Sequence, residues 1–73
     1  MIKVTAEIPA SVWQVPVEVG QQVTSGQDLV ILESMKMEIP VAAPADGVVA
    51  AIHVEPSQSV QEGQLLVEIA SAP

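Results

Sequence analysis

The chain has 73 residues, 49% of them apolar, with nine carboxylates against two lysines, one histidine and no cysteine. A domain of this size buries roughly 60% of the surface its unfolded chain exposes, so an enclosed active-site cavity is not expected, and the missing thiols exclude disulfides, iron–sulfur clusters and cysteine-based zinc sites. A formal charge of −7 repels nucleic acid and anionic lipid at long range, and His53 alone cannot build a metal site. The expectation is a chain with no catalytic group, no metal and neither nucleic acid nor membrane as partner.

The opening residues, Met-Ile-Lys-Val-Thr-Ala-Glu, carry neither the basic region nor the long apolar stretch of a secretory signal. No run approaches the ~20 apolar residues of a membrane span, and a cytoplasmic location is the simplest expectation. Trp13, Val15, Val17 and Val19 then alternate with Gln14, Pro16 and Glu18, a period of two that predicts a strand with one apolar face. Trp13 heads that row and is expected to be partly buried. Gly20 and Ser25-Gly26 signal turns, and residues 28–32 (Asp-Leu-Val-Ile-Leu) form the next strand. After Asp46-Gly47, Val48, Ala50, Ile52 and Val54 repeat the first pattern against Val49, Ala51, His53 and Glu55, which places His53 on the outward face. Glu62-Gly63 is another turn, and residues 65–69 (Leu-Leu-Val-Glu-Ile) another strand. Six prolines forbid long helices. The reading is all-β: about eight short strands in two sheets, a small sandwich or flattened barrel.

The chain repeats itself. Sliding it by 37 positions aligns residues 1–36 with 38–73 without a gap, and thirteen of the 36 pairs are identical. They include Val12/Val49, Glu18/Glu55, Gln21/Gln58, Gly26/Gly63, Gln27/Gln64, Leu29/Leu66 and Val30/Val67. Two copies are too few for a solenoid. They predict one domain over 1–73 with approximate two-fold symmetry, each half giving four strands. The segment 33–38 then lies at the join, at one end of the molecule, with the chain termini at the other.

That segment reads Glu33-Ser34-Met35-Lys36-Met37-Glu38. A lysine at a hairpin tip is a poor nucleophile until another protein removes its proton. It is either a solubilising surface lysine or a site of modification. Lys36 is the only lysine outside the N-terminal strand, it occupies the pivot, and a methionine flanks it on each side. Strand periodicity puts Met35 and Met37 on one side and Lys36 on the other. At a tight tip neither methionine easily reaches the core, so both read as contact surface for a partner. Ser34 and its repeat mate Ser71 need no nucleophilic role.

Glu-Ser-Met-Lys-Met-Glu, followed by Ala-Asp-Gly-Val-Val and Val-Gln-Glu-Gly-Gln-Leu-Leu, closely resembles the biotin carboxyl carrier (biotinyl) domains of biotin-dependent carboxylases. The likeness covers about residues 4–70. It implies the family's fold, a flattened barrel of two four-stranded antiparallel sheets (a barrel-sandwich hybrid), and it implies that Lys36 is the point of covalent biotin attachment. The partners it implies are biotin protein ligase, which forms the amide on Lys36, a biotin carboxylase, which carboxylates the ureido nitrogen, and a carboxyltransferase, which passes the carboxyl to an acceptor such as an acyl-CoA. The lysine stem and valeryl chain together reach about 13 Å from bond geometry. Glu33 and Glu38 are then ligase contacts or ordinary solvated charges. Ser34 stands where most members have Ala, Ser57 where Gly is usual, and Pro9-Ala10-Ser11 where Pro and Gly are often found. The gapless repeat leaves no room for the protruding insertion of some acetyl-CoA carboxylase carriers, so the thumbless type is expected. Two other readings stay open: a lipoyl or dual biotin/lipoyl attachment protein, whose lysine typically lies within Asp-Lys-Ala, and an unmodified adaptor barrel.

Overall fold

Short β-prone runs separated by glycine and proline turns have one way to bury their apolar side: stacking two sheets face to face. The computed structural model describes residues 1–71 and contains no helix there. Its strands are β1 (Ile2–Thr5), β2 (Ala10–Gln14), β3 (Gln22–Val23), β4 (Asp28–Ser34), β5 (Met37–Ala42), β6 (Gly47–Ile52), β7 (Ser59–Val60) and β8 (Leu65–Ser71). One sheet has the order β1-β8-β6-β3 and the other β5-β4-β2-β7, with antiparallel pairing throughout. No strand pairing joins the two sheets among the described residues. Of the two shapes expected, the flattened sandwich is the one formed; the barrel does not close.

A shift of 37 residues carries β1 onto β5, β2 onto β6, β3 onto β7 and β4 onto β8, and it carries the order of one sheet onto that of the other. Each sheet takes two strands from each half. β1 pairs only with β8, and β3 only with β6, so neither half completes a sheet without the other.

The hydrogen bonds outside the ladders obey the same operation. Among the described residues, twelve of thirteen such backbone bonds fall into six repeat-related pairs. Ala6 N–H donates to the Gln64 carbonyl at 2.9 Å, for example, and Ala43 N–H to the Gln27 carbonyl at 2.8 Å. The thirteenth runs from His53 N–H to the Leu66 carbonyl at 2.8 Å. Its mate position is Pro16, which has no N–H to donate. The identical glutamines are explained too: the Oε1 atoms of Gln21, Gln27, Gln58 and Gln64 each accept from the N–H three residues earlier, at 3.0 to 3.2 Å.

The core is aliphatic, and no polar or charged side chain is buried among the described residues. Its centre is Leu29, Val30, Leu32, Leu66, Val67 and Ile69. Consecutive residues of one strand cannot both face inward on a regular pleat. Here the register slips between Asp28 and Val30 against β5, and between Val4 and Thr5 against β8. Those bulges let Leu29 turn inward beside Val30 and Leu66 beside Val67.

A second pair of bulges, at Val12/Gln14 and Val49/Ala51, overturns the expected apolar face. Val12 and Val49 point into the core, whereas Trp13 is 44% exposed and Val19 is exposed, so the row of Trp13, Val15, Val17 and Val19 is not one face. Val48 and Ala50 are likewise only partly buried. A single extra residue reverses every side chain beyond it. His53 is on the surface, its Nε2 3.7 Å from Glu68 Oε2.

The sandwich measures 38 × 17 × 17 Å. Val23, Gly47 and Ser71 lie in one row across the first sheet, beside a loop contact in which Ser25 N–H donates to Asp46 Oδ1 at 2.7 Å. The same loops abut the Asp28/Ala42 end of the second sheet. From Asp28, β4 runs six residues, about 20 Å, to Ser34. Ile2 pairs with Ile69 near that first end, so Met1 and Ser71 lie remote from residues 35–36. The repeat mates of Met35 and Lys36 are residues 72 and 73, which lie outside the described residues.

Candidate functional site

The last register pair of the β4–β5 hairpin is Ser34 with Met37, which leaves Met35 and Lys36 as a two-residue loop. Both have positive φ, +52° and +65°, the mark of the type I′ turn whose twist matches that of paired strands. Such turns favour Asn-Gly, because an L-residue with a Cβ in the left-handed region costs about 1–2 kcal/mol. The tip carries two bulky side chains where the backbone prefers none. That strain is the feature sequence reasoning missed, since nothing in Ser-Met-Lys-Met signals a hairpin loop of two residues.

The loop also changes the expected sidedness. Met35 and Lys36 belong to the turn and only Met37 to a strand, so period-two alternation does not run through them. Met35 is 92% and Met37 65% exposed. Lys36 is exposed, and among the described residues its amine has neither a hydrogen-bond partner nor an ion pair.

Below the tip, Glu33 and Glu38 face each other directly across β4 and β5, both exposed. Like charges so placed are destabilising. Ser11 and Ser59 continue their row across β2 and β7. Ser34 is half-buried at the base of the loop. The structure thus gathers Glu33, Ser34, Met35, Lys36, Met37 and Glu38 at one end.

The other lysine, Lys3, sits in edge strand β1 opposite Glu68. It borders an open groove of about 370 Å³ between β1 and β5, with Ile8, Ile39 and Pro40. No group of three or more potential metal ligands occurs among the described residues. Chemically, the tip offers a primary amine on a short, strained loop with two exposed thioethers beside it. Among the described residues no base is hydrogen-bonded to the amine, so none of them is placed to deprotonate it.

Residues 1–69 match the model of a family described as biotin-requiring enzyme. The chain is 38% identical over 69 residues to the biotin/lipoyl attachment protein of Bacillus subtilis, covering 94% of each chain. It is 45% identical over 65 residues to the biotin carboxyl carrier protein of Streptococcus mutans, covering 89% of this chain and 50% of that one. Among solved structures, the urea carboxylase of Kluyveromyces lactis superposes with a TM-score of 0.89 at 29% identity, over 94% of this chain and 6% of the larger enzyme.

Proposed function

Because the chain belongs to the family of biotin-requiring enzymes, we propose that it is a carrier that holds biotin in amide linkage on Lys36 and does no bond-making itself. The observation that carries this reading is the strained two-residue loop, which keeps a lysine where its backbone favours glycine. A group linked through an amide fits that position: the amine is solvent-exposed, without a side-chain partner among the described residues, and at the end of the molecule farthest from Met1 and Ser71. Biotin supplies a ureido nitrogen that takes up and releases a carboxyl group.

The chain's own residues orient and present. The I′ turn places Lys36 at the tip of the hairpin, and its side chain sweeps from that point. Met35 and Met37 offer soft apolar contacts that adapt to different partner surfaces. Holding the group on a small domain raises its effective concentration at partner active sites. The partners this reading requires are a biotin protein ligase, a biotin carboxylase and a carboxyltransferase. Carboxylase partners are supported by the likeness to urea carboxylase, of which this chain matches 6%.

A lipoyl or dual attachment role is the second reading, favoured by the name of the relative matched over 94% of its length, a biotin/lipoyl attachment protein. One experiment separates them. The full chain is co-expressed with a biotin ligase or a lipoyl ligase, and intact masses are compared for wild type and Lys36→Arg. Biotin on wild type alone is the expected result, with faster migration on a native gel because acylation removes one positive charge. Biotin on Lys3, or persisting in the variant, overturns the assignment; lipoate alone moves the chain to the second reading.

A further inference from the structure

The two halves share a backbone, so positions related by the repeat can be compared as if each were the other's control. On the outer face of the sheet β1-β8-β6-β3, one row reads Lys3, Glu68, Ala51, with the bulge residue Ala50 beside it. This is an ordinary solvated face, with His53 near Glu68. The same row on the other sheet reads Pro40, Ile31, Gln14, with the bulge residue Trp13. There Trp13 and Pro40 are exposed and Ile31 is half-exposed. One operation relates the two rows; the first holds an opposed Lys3/Glu68 pair, and the second sets Pro40, Ile31 and Trp13 around Gln14. Exposed apolar side chains grouped on one face are where partners bind, and tryptophan is among the side chains most enriched in residues that dominate binding.

The apolar row is on the sheet that carries the Lys36 hairpin, three register pairs from the Ser34/Met37 base, or about 10 Å. Between it and the tip lie Glu33 and Glu38, directly opposed, with no basic side chain in that row. Carboxylates held together on an exposed face are complementary to cations on a partner, and such pairing sets encounter rate and register.

We propose that this face, Trp13 with Ile31 and Pro40 behind the Glu33/Glu38 rim, is where the enzyme that acylates Lys36 docks, presenting an apolar socket flanked by basic side chains. The proposal rests on Lys36 being the attachment site. Enzymes acting after acylation can recognise the attached group. The acylating enzyme meets only protein and must choose Lys36 over Lys3. Lys36 is on the hairpin that carries Ile31, Pro40 and the Glu33/Glu38 pair, whereas Lys3, in edge strand β1, borders Pro40 alone of these residues.

Trp13 is the only tryptophan, so 5-fluorotryptophan labelling of the otherwise unaltered chain gives a single fluorine resonance. Adding biotin protein ligase without ATP, at concentrations above its KM for the carrier, should shift or broaden that resonance. Trp13→Ser combined with Ile31→Thr should raise KM about tenfold or more, the loss of one dominant contact, with acylation still on Lys36 by mass. Trp13→Gln alone serves if the double variant fails to fold. Ala50→Glu, on the matching bulge of the other sheet, should leave KM within about twofold, a difference under half that of a tenfold change in free energy. Glu33→Gln with Glu38→Gln should slow association and flatten its salt dependence. An unmoved resonance, or Trp13 variants acylated with wild-type KM, overturns the docking face while Lys36 stands. A wild-type chain acylated elsewhere, or not at all, overturns the attachment reading and the docking face with it.

Discussion

Gly26 and Gly63 occupy left-handed turns at φ +91° and +84°, and Met35 and Lys36 occupy left-handed positions at +52° and +65°. At the first pair the residue suits the backbone; at the second it does not. Gly26 and Gly63 are repeat mates that serve the fold, their N–H groups donating to the carbonyls of Ala43 and Ala6. At the hairpin tip, thioether and amine stand where stability alone would select Asn-Gly. Strain retained against an available relief marks the position where side-chain chemistry outweighs folding. Ser57 is the intermediate case: its φ is +76°, and its repeat mate Gly20 has +92°.

Exchanges across this divide should sort by mechanism. The largest effect should come from Gly47, where glycine answers a different need. A Cβ there would meet the Ala70 carbonyl oxygen and approach Ile69 Cγ2 to 2.6 Å. Because the obstacle is β8 backbone, Gly47→Ala should destabilise by about 2–3 kcal/mol, in the range of overpacking, read from urea denaturation midpoints. A loss below half of that would mean β6 and β8 separate more easily than their pairing indicates.

Relieving the tip should act in the opposite direction. Met35→Asn with Lys36→Gly should stabilise by about 1–2 kcal/mol, since glycine escapes the L-residue penalty and asparagine lessens it, and should abolish acylation. A melting temperature that does not rise would show that packing, not backbone preference, holds the turn. The smallest change is Ser57→Gly, expected to stabilise by about 0.5–1 kcal/mol once the added freedom of the unfolded chain is subtracted from the relieved strain. Gly20→Ser at the mate position should destabilise by a similar amount. Equal and opposite shifts would show that the two turns behave as one motif; unequal shifts would expose the effect of their different neighbours, Val19 and Pro56.

Much of this was legible in the residues. The 37-residue repeat foretold about eight strands, four from each half, and Gly20, Ser25-Gly26, Asp46-Gly47 and Glu62-Gly63 signalled turns between them. Met-Lys-Met at the join pointed to the tip, because the middle of a two-fold repeat has to lie at an end of the molecule. All of that is carried by local chemistry and by position along the chain, which a sequence states directly.

What remained for the tertiary structure was partner choice and phase. Backbone N–H and C=O groups are alike in every strand, so nothing in β1 or β3 says that they pair across the halves, with β8 and β6, to interleave two incomplete sheets. A bulge adds one residue without any required side chain, yet it reverses the face of all that follows. For that reason the row from Trp13 to Val19 read as one apolar face, although Trp13 lies outside the core, on the bulge beside Gln14. The same limit hid the close approach of Gly47 to β8 and the two-residue length of the Lys36 loop. Each depends on how two strands meet, and a meeting is a property of the folded chain, decided where the summed burial of Leu29, Leu32, Leu66 and Ile69 is greatest.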